Sequence, residues 1–487
     1  MIELTFAQKE NIGFRYILDA LQPSSPFGQA LVRDLQPLDP SQRAELQRQF
    51  ANIQRVLDAE ARCRQPLDSL LRILMTMKMV RATAEKCLET VLDEIELFEI
   101  KRFLLRCFEL LPHWQKLEPV LQLEGIQILD TTEALDILDP EENRVAAFFI
   151  NDNQSPLLQQ IRKQKKELEL QLAQAQGDTH TELLGMHSRT AGEEEQELAR
   201  IRAALSLALR PYISAMLHNM DAIGQLDLTV EKARLARRWG GVMPVLTQDR
   251  LEMKDMVNPR IRDLLVNRDQ SFTPVSIALE KGATVITGAN MGGKSVALKT
   301  VALNILLVHC GFFPFAKEAA VPLFDSIHIL SEDLENVDRG LSSFGGEMVR
   351  FNQVIRQLDG AFPFIVLDEF ARGTNPDEGA AIVQAVTEYL NNQNAITVLA
   401  THYDNVAPKA NAHYQVVGLR QLDLQQLQRE IVGLQGQEGM AHISRYMNYG
   451  LYRVEGRQDC PRDALNICRL LGMDSQILQM VEKNYSS

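Results

Sequence analysis

The octapeptide Gly288-Ala289-Asn290-Met291-Gly292-Gly293-Lys294-Ser295 constrains this chain more than any other stretch. The residues before it, Ala283-Thr284-Val285-Ile286-Thr287, read as a short buried strand, and those from Val296 to about Leu307 are apolar at helical spacing. A strand, a glycine loop and a helix in that order aim backbone N–H groups and a helix N-terminus at a polyphosphate. Glycines let the backbone wrap a β-phosphate, Lys294 neutralises β/γ charge, and the Ser295 hydroxyl is placed to hold Mg²⁺. The pattern predicts an α/β nucleotide-binding domain around a central sheet.

The rest of the chain narrows the options. With 487 residues it has room for two to four domains, and its 45% hydrophobic content suits a globular core. A formal net charge of −13 argues against general nucleic-acid affinity, so any DNA contact must come from a local basic face. The six cysteines (Cys63, Cys87, Cys107, Cys310, Cys460 and Cys468) show no CxxC spacing, which points to free thiols in a reducing cytoplasm. Cys310, Cys460 and Cys468 are expected in core positions. The start, Met1-Ile2-Glu3-Leu4-Thr5, lacks the features of a signal peptide, and the apolar run from Val296 to Ala316 carries Lys299 and His309, so no membrane association is expected.

Residues 1–240 read as mostly helical, with apolar residues at i, i+3 and i+4 over Leu67–Val80 and Ala84–Leu111. Gly125–Asp139 and Val145–Ile150 are candidates for short strands. Residues 156–176 form a polar helical arm, Gly177–Gly192 a turn-rich break, and Glu193–Asn219 a return arm, together a projecting antiparallel hairpin at about 156–219. Arms of about 20–27 residues run roughly 30–40 Å, long enough for a grip or for a spacer. From residue 241 to 487 short apolar strands alternate with helices, and the boundary falls near Gly240–Pro244. Gln421–Gly439 reads as an exposed polar loop.

Two further strands end in chemistry. Phe362-Pro363-Phe364-Ile365-Val366-Leu367-Asp368-Glu369 is an apolar run closed by two acids. Asp368 suits the water shell of Mg²⁺, and Glu369 suits a general base acting on an attacking water. Thr397-Val398-Leu399-Ala400-Thr401-His402 ends in a histidine placed to sense a γ-phosphate. Leu341-Ser342-Ser343-Phe344-Gly345-Gly346-Glu347 leads into a helix, where Ser342 or Ser343 serves either as a simple cap or as a second anion site closing on nucleotide held by another subunit.

These residues resemble the MutS family of ABC-type ATPases. Thr287–Ser295, with its Asn290-Met291-Gly292-Gly293 core, is highly specific for that family. Asp368-Glu369 with Arg372-Gly373-Thr374-Asn375-Pro376 is similar to its Walker B region, Ala400-Thr401-His402-Tyr403 to its histidine switch, and Leu341-Ser342-Ser343-Phe344 to its signature. Tyr452-Arg453-Val454 with Ala464–Gly472 is similar to its closing strand and dimer-stabilising helices, and Ile223-Gly224-Gln225-Leu226-Asp227 to the element joining lever helices to the ATPase.

The resemblance implies an ABC-type α/β ATPase domain with a central mixed sheet, preceded by a mostly helical lever and clamp region over 1–240. It implies ATP and Mg²⁺ as cofactors and a homodimer or a heterodimer with a related MutS-like chain. Gly288–Ser295 and Val296 would bind nucleotide, Ser295 and Asp368 would hold the metal, and Lys294, Glu369 and His402 would carry hydrolysis. Ser342 and Ser343 would act in trans. Phe272 lies about where an adenine-stacking side chain sits, although a core phenylalanine is the simpler expectation.

The departures bear on what is gripped. The family's mismatch-reading N-terminal domain has no counterpart ahead of the lever-type helices, and the hairpin is short. Between Pro156 and Arg210 eight Lys/Arg face eight Asp/Glu, a poor electrostatic match to a DNA backbone. Asp368-Glu369-Phe370-Ala371-Arg372 and the truncated architecture resemble short MutS-like proteins linked to reactivating cobalamin-dependent amino-acid aminomutases. Two readings stand at this point: an ATP-driven clamp on DNA in the manner of mismatch repair, and a chaperone-like ATPase acting on a protein client such as an aminomutase.

Overall fold

The computed structural model describes residues 2–268, 270–288, 293–331, 343–403, 405–418, 448–455, 468–469 and 473–485. Contacts divide the chain into two compact units. One comprises residues 1–21, 35–54 and 232–487, the other 22–34 and 55–231.

Among the described residues the first unit holds ten strands: β1 (Val245–Thr247), β2 (Leu251–Met256), β3 (Val275–Leu279), β4 (Gly282–Thr287), β5 (Glu318–Pro322), β6 (Ser326–Ser331), β7 (Pro363–Asp368), β8 (Ile396–Ala400), β9 (Ala412–Gly418) and β10 (Asn448–Arg453). They form two mixed sheets, ordered β1-β5-β2-β3 and β10-β9-β4-β8-β7-β6. In the larger sheet every pairing is parallel except β10 with β9. Strands β4, β7 and β8 are buried at every position, as expected of parallel strands covered on both faces.

The Lys294–His309 helix contacts β7 and β8 of the larger sheet and β2 and β3 of the smaller one. Lying between two apolar surfaces, it is apolar around most of its circumference, and 13 of its 16 residues are buried. A second core cluster covers another face of the large sheet. It joins Val285, Ile365, Leu367 and Leu399 to Phe351 and Val354 of the Ser343–Arg356 helix, to Leu358 just beyond that helix, and to Val383 and Leu390 of the Pro376–Asn391 helix. That last helix starts where its sequence dictates: Asn375 caps it by accepting the Asp377 N–H at 2.9 Å, and Pro376 occupies the first turn.

The second unit is helical. Its hairpin pairs Pro156–Leu172 with Asp178–Leu209, packed through Leu158, Ile201, Leu198 and Leu205 beside Ile150. The expected break over Gly177–Gly192 is confined to the residues before Asp178. Gly185 and Gly192 lie inside the second helix with open space around them. A helical glycine costs only about 1 kcal/mol, which packing along the hairpin offsets.

The strands proposed for Gly125–Asp139 and Val145–Ile150 do not form, and Thr132–Leu138 is a helix. The extended backbone around Leu129 pairs with a side chain instead of a strand. The Asn219 amide accepts the Leu129 N–H at 2.8 Å and donates to its carbonyl at 2.9 Å. The Ala84–Leu111 helix is two helices, Arg81–Glu89 and Glu94–Leu121, with Asp93 capping the second. Asp227, read as part of a joining element, holds a turn in place: its buried carboxylate accepts from the Ser24 and Ser25 N–H groups and from the Ser25 hydroxyl.

Of the cysteines expected in the core, Cys310 is buried and Cys468 half-buried. Cys460 and the Gln421–Gly439 stretch lie outside the described residues, as do Ala289–Gly292 and Ser342.

Candidate nucleotide site

Parallel register brings the chemistry-bearing residues to one sheet edge. Ile286 of β4 lies opposite Ala400 of β8, and Ala400 lies opposite Asp368 of β7. The ladder continues one step past the strands: the Thr401 N–H donates to the Ile286 carbonyl at 3.2 Å and the Glu369 N–H to the Ala400 carbonyl at 3.1 Å. Gly288, Glu369 and His402 thus leave the sheet at the same level, at the carboxyl ends of parallel strands, where α/β sheets present ligands.

Strand alternation decides which acid faces the helix. Ile365 and Leu367 point into the cluster shared with the Ser343–Arg356 helix, so Asp368 points to the opposite face, which carries Lys294–His309. There the Ser295 hydroxyl donates to Asp368 Oδ1 at 3.0 Å. Lys294 is 3% exposed, and its ammonium donates to the Gly288 carbonyl at 2.7 Å, joining the two ends of the loop. Gly293 is left-handed (φ 85°), and a Cβ there would sit 2.5 Å from Tyr449 Cδ1, so glycine is required twice over. Beneath the loop, the buried Thr287 hydroxyl lies 2.7 Å from His413 Nε2.

Glu369 follows β7 with left-handed backbone (φ 54°), and its carboxylate accepts from Arg372 Nη1 at 2.5 Å. The His402 imidazole is held below its ordinary pKa, first by desolvation, then by the nearby cations Lys294 and Arg372, with the Glu369 carboxylate opposing them. A neutral imidazole beside a carboxylate and a lysine suits a group that donates one hydrogen bond without adding charge.

A cleft of about 270 Å³ adjoins these groups. It is lined by Gly293, Lys294, Ser295, Val296 and Glu369 on one side and by Ile261, Leu265, Phe272, Thr273 and Tyr449 on the other. Phe272 is half-buried on that wall and is not the core residue expected. Tyr449 was not singled out from the sequence, because nothing local marks one tyrosine 156 residues beyond Gly293 as its neighbour. Burial raises its phenol pKa, so the ring presents a neutral face. Ser343 opens the Ser343–Arg356 helix.

The oxygen donors Ser295 and Asp368 suit a hard cation. Among the described residues no cluster of three or more His, Cys, Asp or Glu could hold a metal ion alone. Mg²⁺ characteristically takes one or two protein oxygens and completes its shell with water and phosphate, so the pair fits it.

The domain that carries these groups is α/β with mixed sheets, and its residues 284–466 match the MutS domain V family. That match places a MutS domain V within the first unit. It is 31% identical over 258 residues to a protein named "Endonuclease MutS2" from Latilactobacillus sakei subsp. sakei, covering 52% of this chain and 32% of that one. A protein of the same name from Symbiobacterium thermophilum is 29% identical over 269 residues, 54% of this chain and 33% of the relative. A third, from Geobacillus sp., is 33% identical over 214 residues, 43% and 26% respectively. The chain therefore spans about a third or less of the length of these curated relatives. Among the described residues no helix is long and apolar enough to cross a membrane.

Proposed function

We propose that this chain is an ATP hydrolase whose nucleotide cycle drives a grip by the helical hairpin. The observation that carries the reading is the Ser295–Asp368 contact at the edge where Glu369 and His402 also emerge. Gly288–Ser295 would cradle the polyphosphate, with Lys294 neutralising it and Val296 beside it. The base would lie between Phe272 and Tyr449. Ser295 and Asp368 would hold Mg²⁺, which supplies charge neutralisation on the phosphates. Glu369 would take the proton of the attacking water and His402 would orient the γ-phosphate side. Ser342 and Ser343 would close the site in trans within a homodimer or a heterodimer of MutS-like chains.

The name of the relatives supports a DNA substrate for the grip. A second reading, a protein client such as an aminomutase, is favoured by one observation. Of the four cations clustered on the first hairpin helix, Arg162 and Lys165 already pair with Glu194, at 2.9 and 2.6 Å, and Arg162 also pairs with Asp152 at 2.6 Å. Cations satisfied within the hairpin have less to offer a phosphate backbone.

One experiment tests both levels. Steady-state ATP turnover is measured for wild type and Glu369→Gln, with and without duplex DNA at low and near-physiological salt. Glu369→Gln is expected to bind ATP and lose turnover, and normal turnover in that variant sinks the assignment. Stimulation by DNA that fades steeply with salt supports the DNA grip; turnover indifferent to DNA at both salts favours the protein client.

A further inference from the structure

The turn that carries Glu369 is unusual in its backbone. Glu369 and Ala371 both adopt left-handed φ, 54° and 60°, and neither is glycine. Such a conformation persists only where surrounding groups over-determine it. Both peptide groups of Ala371 are held. Its N–H donates to Glu347 Oε2 at 3.0 Å, and its carbonyl accepts from the Tyr403 hydroxyl at 2.9 Å. Glu347 is 7% exposed, so the charged acceptor works in a desolvated setting where such a bond is strong.

The two holds come from separate elements. Glu347 lies on the Ser343–Arg356 helix, and one turn further along Phe351 packs against Phe370, the middle residue of the turn, with ring centroids 5.0 Å apart. Tyr403 follows His402 directly after β8 and is buried.

We infer that Glu347 and Tyr403 are positioning residues that clamp Ala371 and thereby fix the Glu369 carboxylate for hydrolysis. This rests on Glu369 being the base. The clamp makes the geometry of that base depend on the helix beginning at Ser343 and on the segment carrying His402. Neither residue needs to touch nucleotide.

The test uses the full chain with Glu347→Ala, Glu347→Gln and Tyr403→Phe, and Glu369→Gln as control. ATP turnover, affinity for a fluorescent ATP analogue, and hydrogen exchange of the 369–374 peptide without nucleotide are measured. Glu347→Ala is expected to lower kcat about tenfold or more, since small misplacements of a catalytic group cost that much, with affinity changed by no more than about threefold. The Ala371 amide should exchange at least about tenfold faster. Glu347→Gln should restore most of both, because its amide oxygen accepts the same N–H. Tyr403→Phe should lower kcat without raising KM, and it carries the test should Glu347→Ala not fold. Unchanged kcat in Tyr403→Phe and Glu347→Ala beside an inactive Glu369→Gln overturns the inference and leaves the hydrolase reading intact. A Glu347→Gln variant as impaired as Glu347→Ala also overturns it. Turnover by Glu369→Gln, or none by wild type, overturns both readings together.

Discussion

Replacing Gly379 with alanine should reverse the usual sign of that change in a helix. Gly379 is the fourth residue of Pro376–Asn391, and alanine is ordinarily worth up to about 1 kcal/mol over glycine in a helix interior. Here a Cβ would overlap the Tyr403 hydroxyl, 2.7 Å from Tyr403 Cζ and 2.9 Å from the Ala371 carbonyl oxygen. Overpacking of this kind costs about 1–3 kcal/mol. Displacing Tyr403 also leaves the Ala371 carbonyl unpaired, at a further cost of about 1–3 kcal/mol if it stays dry. Partial relaxation of the tyrosine reduces both, and we expect a net loss of about 2 kcal/mol together with reduced turnover.

The two tryptophans make the measurement local. Trp239 belongs to the unit containing Gly379 and Trp114 to the helical unit, so urea unfolding followed by Trp239 emission in a Trp114→Phe background reports the right unit. Gly185→Ala, read by Trp114 in a Trp239→Phe background, is the internal control. Its Cβ meets nothing within 4 Å, so it should stabilise by up to about 1 kcal/mol. A Gly379→Ala protein as stable as wild type, with unchanged kcat, would refute the packing argument and weaken the clamp with it.

Phe272→Ala and Tyr449→Ala should each weaken ATP affinity about tenfold, since stacking of a base on an aromatic ring is worth about 1–3 kcal/mol. Titration with a fluorescent ATP analogue checks this, and unchanged affinity in both would remove the base from that cleft. His309 should make the fold acid-labile. Its Nδ1 donates to the Leu38 carbonyl at 2.9 Å, its Nε2 accepts from the Phe324 N–H at 3.2 Å, and burial pushes its pKa from the ordinary 6.5 down to about 4. The folded value lies below the unfolded one, so the contribution is whole above pH 6.5 and is lost as pH falls towards 4, to a limit of about 3 kcal/mol. The stability difference between wild type and His309→Asn across that window isolates it; parallel profiles would refute it.

The sequence made the individual pieces of the site legible, because each is local: a glycine loop after a strand, two acids or a histidine at the end of an apolar run. It did not make their meeting legible. The alignment of Ile286, Ala400 and Asp368 is a matter of register between strands far apart in the chain, and the Glu347–Ala371 bond joins residues 24 apart through a buried carboxylate that in sequence resembles any other helix acid. The same limit explains the errors in the helical half. Gly185 and Gly192 look like breakers because residue type is local, whereas the packing that carries a helix through them is not. The extended run at Leu129 looks like a strand because its partner, the Asn219 side chain, lies 90 residues away.

Glu194 gives the hairpin an adaptable character. Its one carboxylate holds two cations, Arg162 and Lys165, and those neighbours keep its own pKa below the usual range, so it stays ionised at any ordinary pH. Loss of that single acid would unmask charge on a surface that already carries Lys163 and Lys166 exposed. A change at this one position would shift the charge balance of the hairpin face without touching any group of the nucleotide site, even though Arg162 keeps its pairing with Asp152.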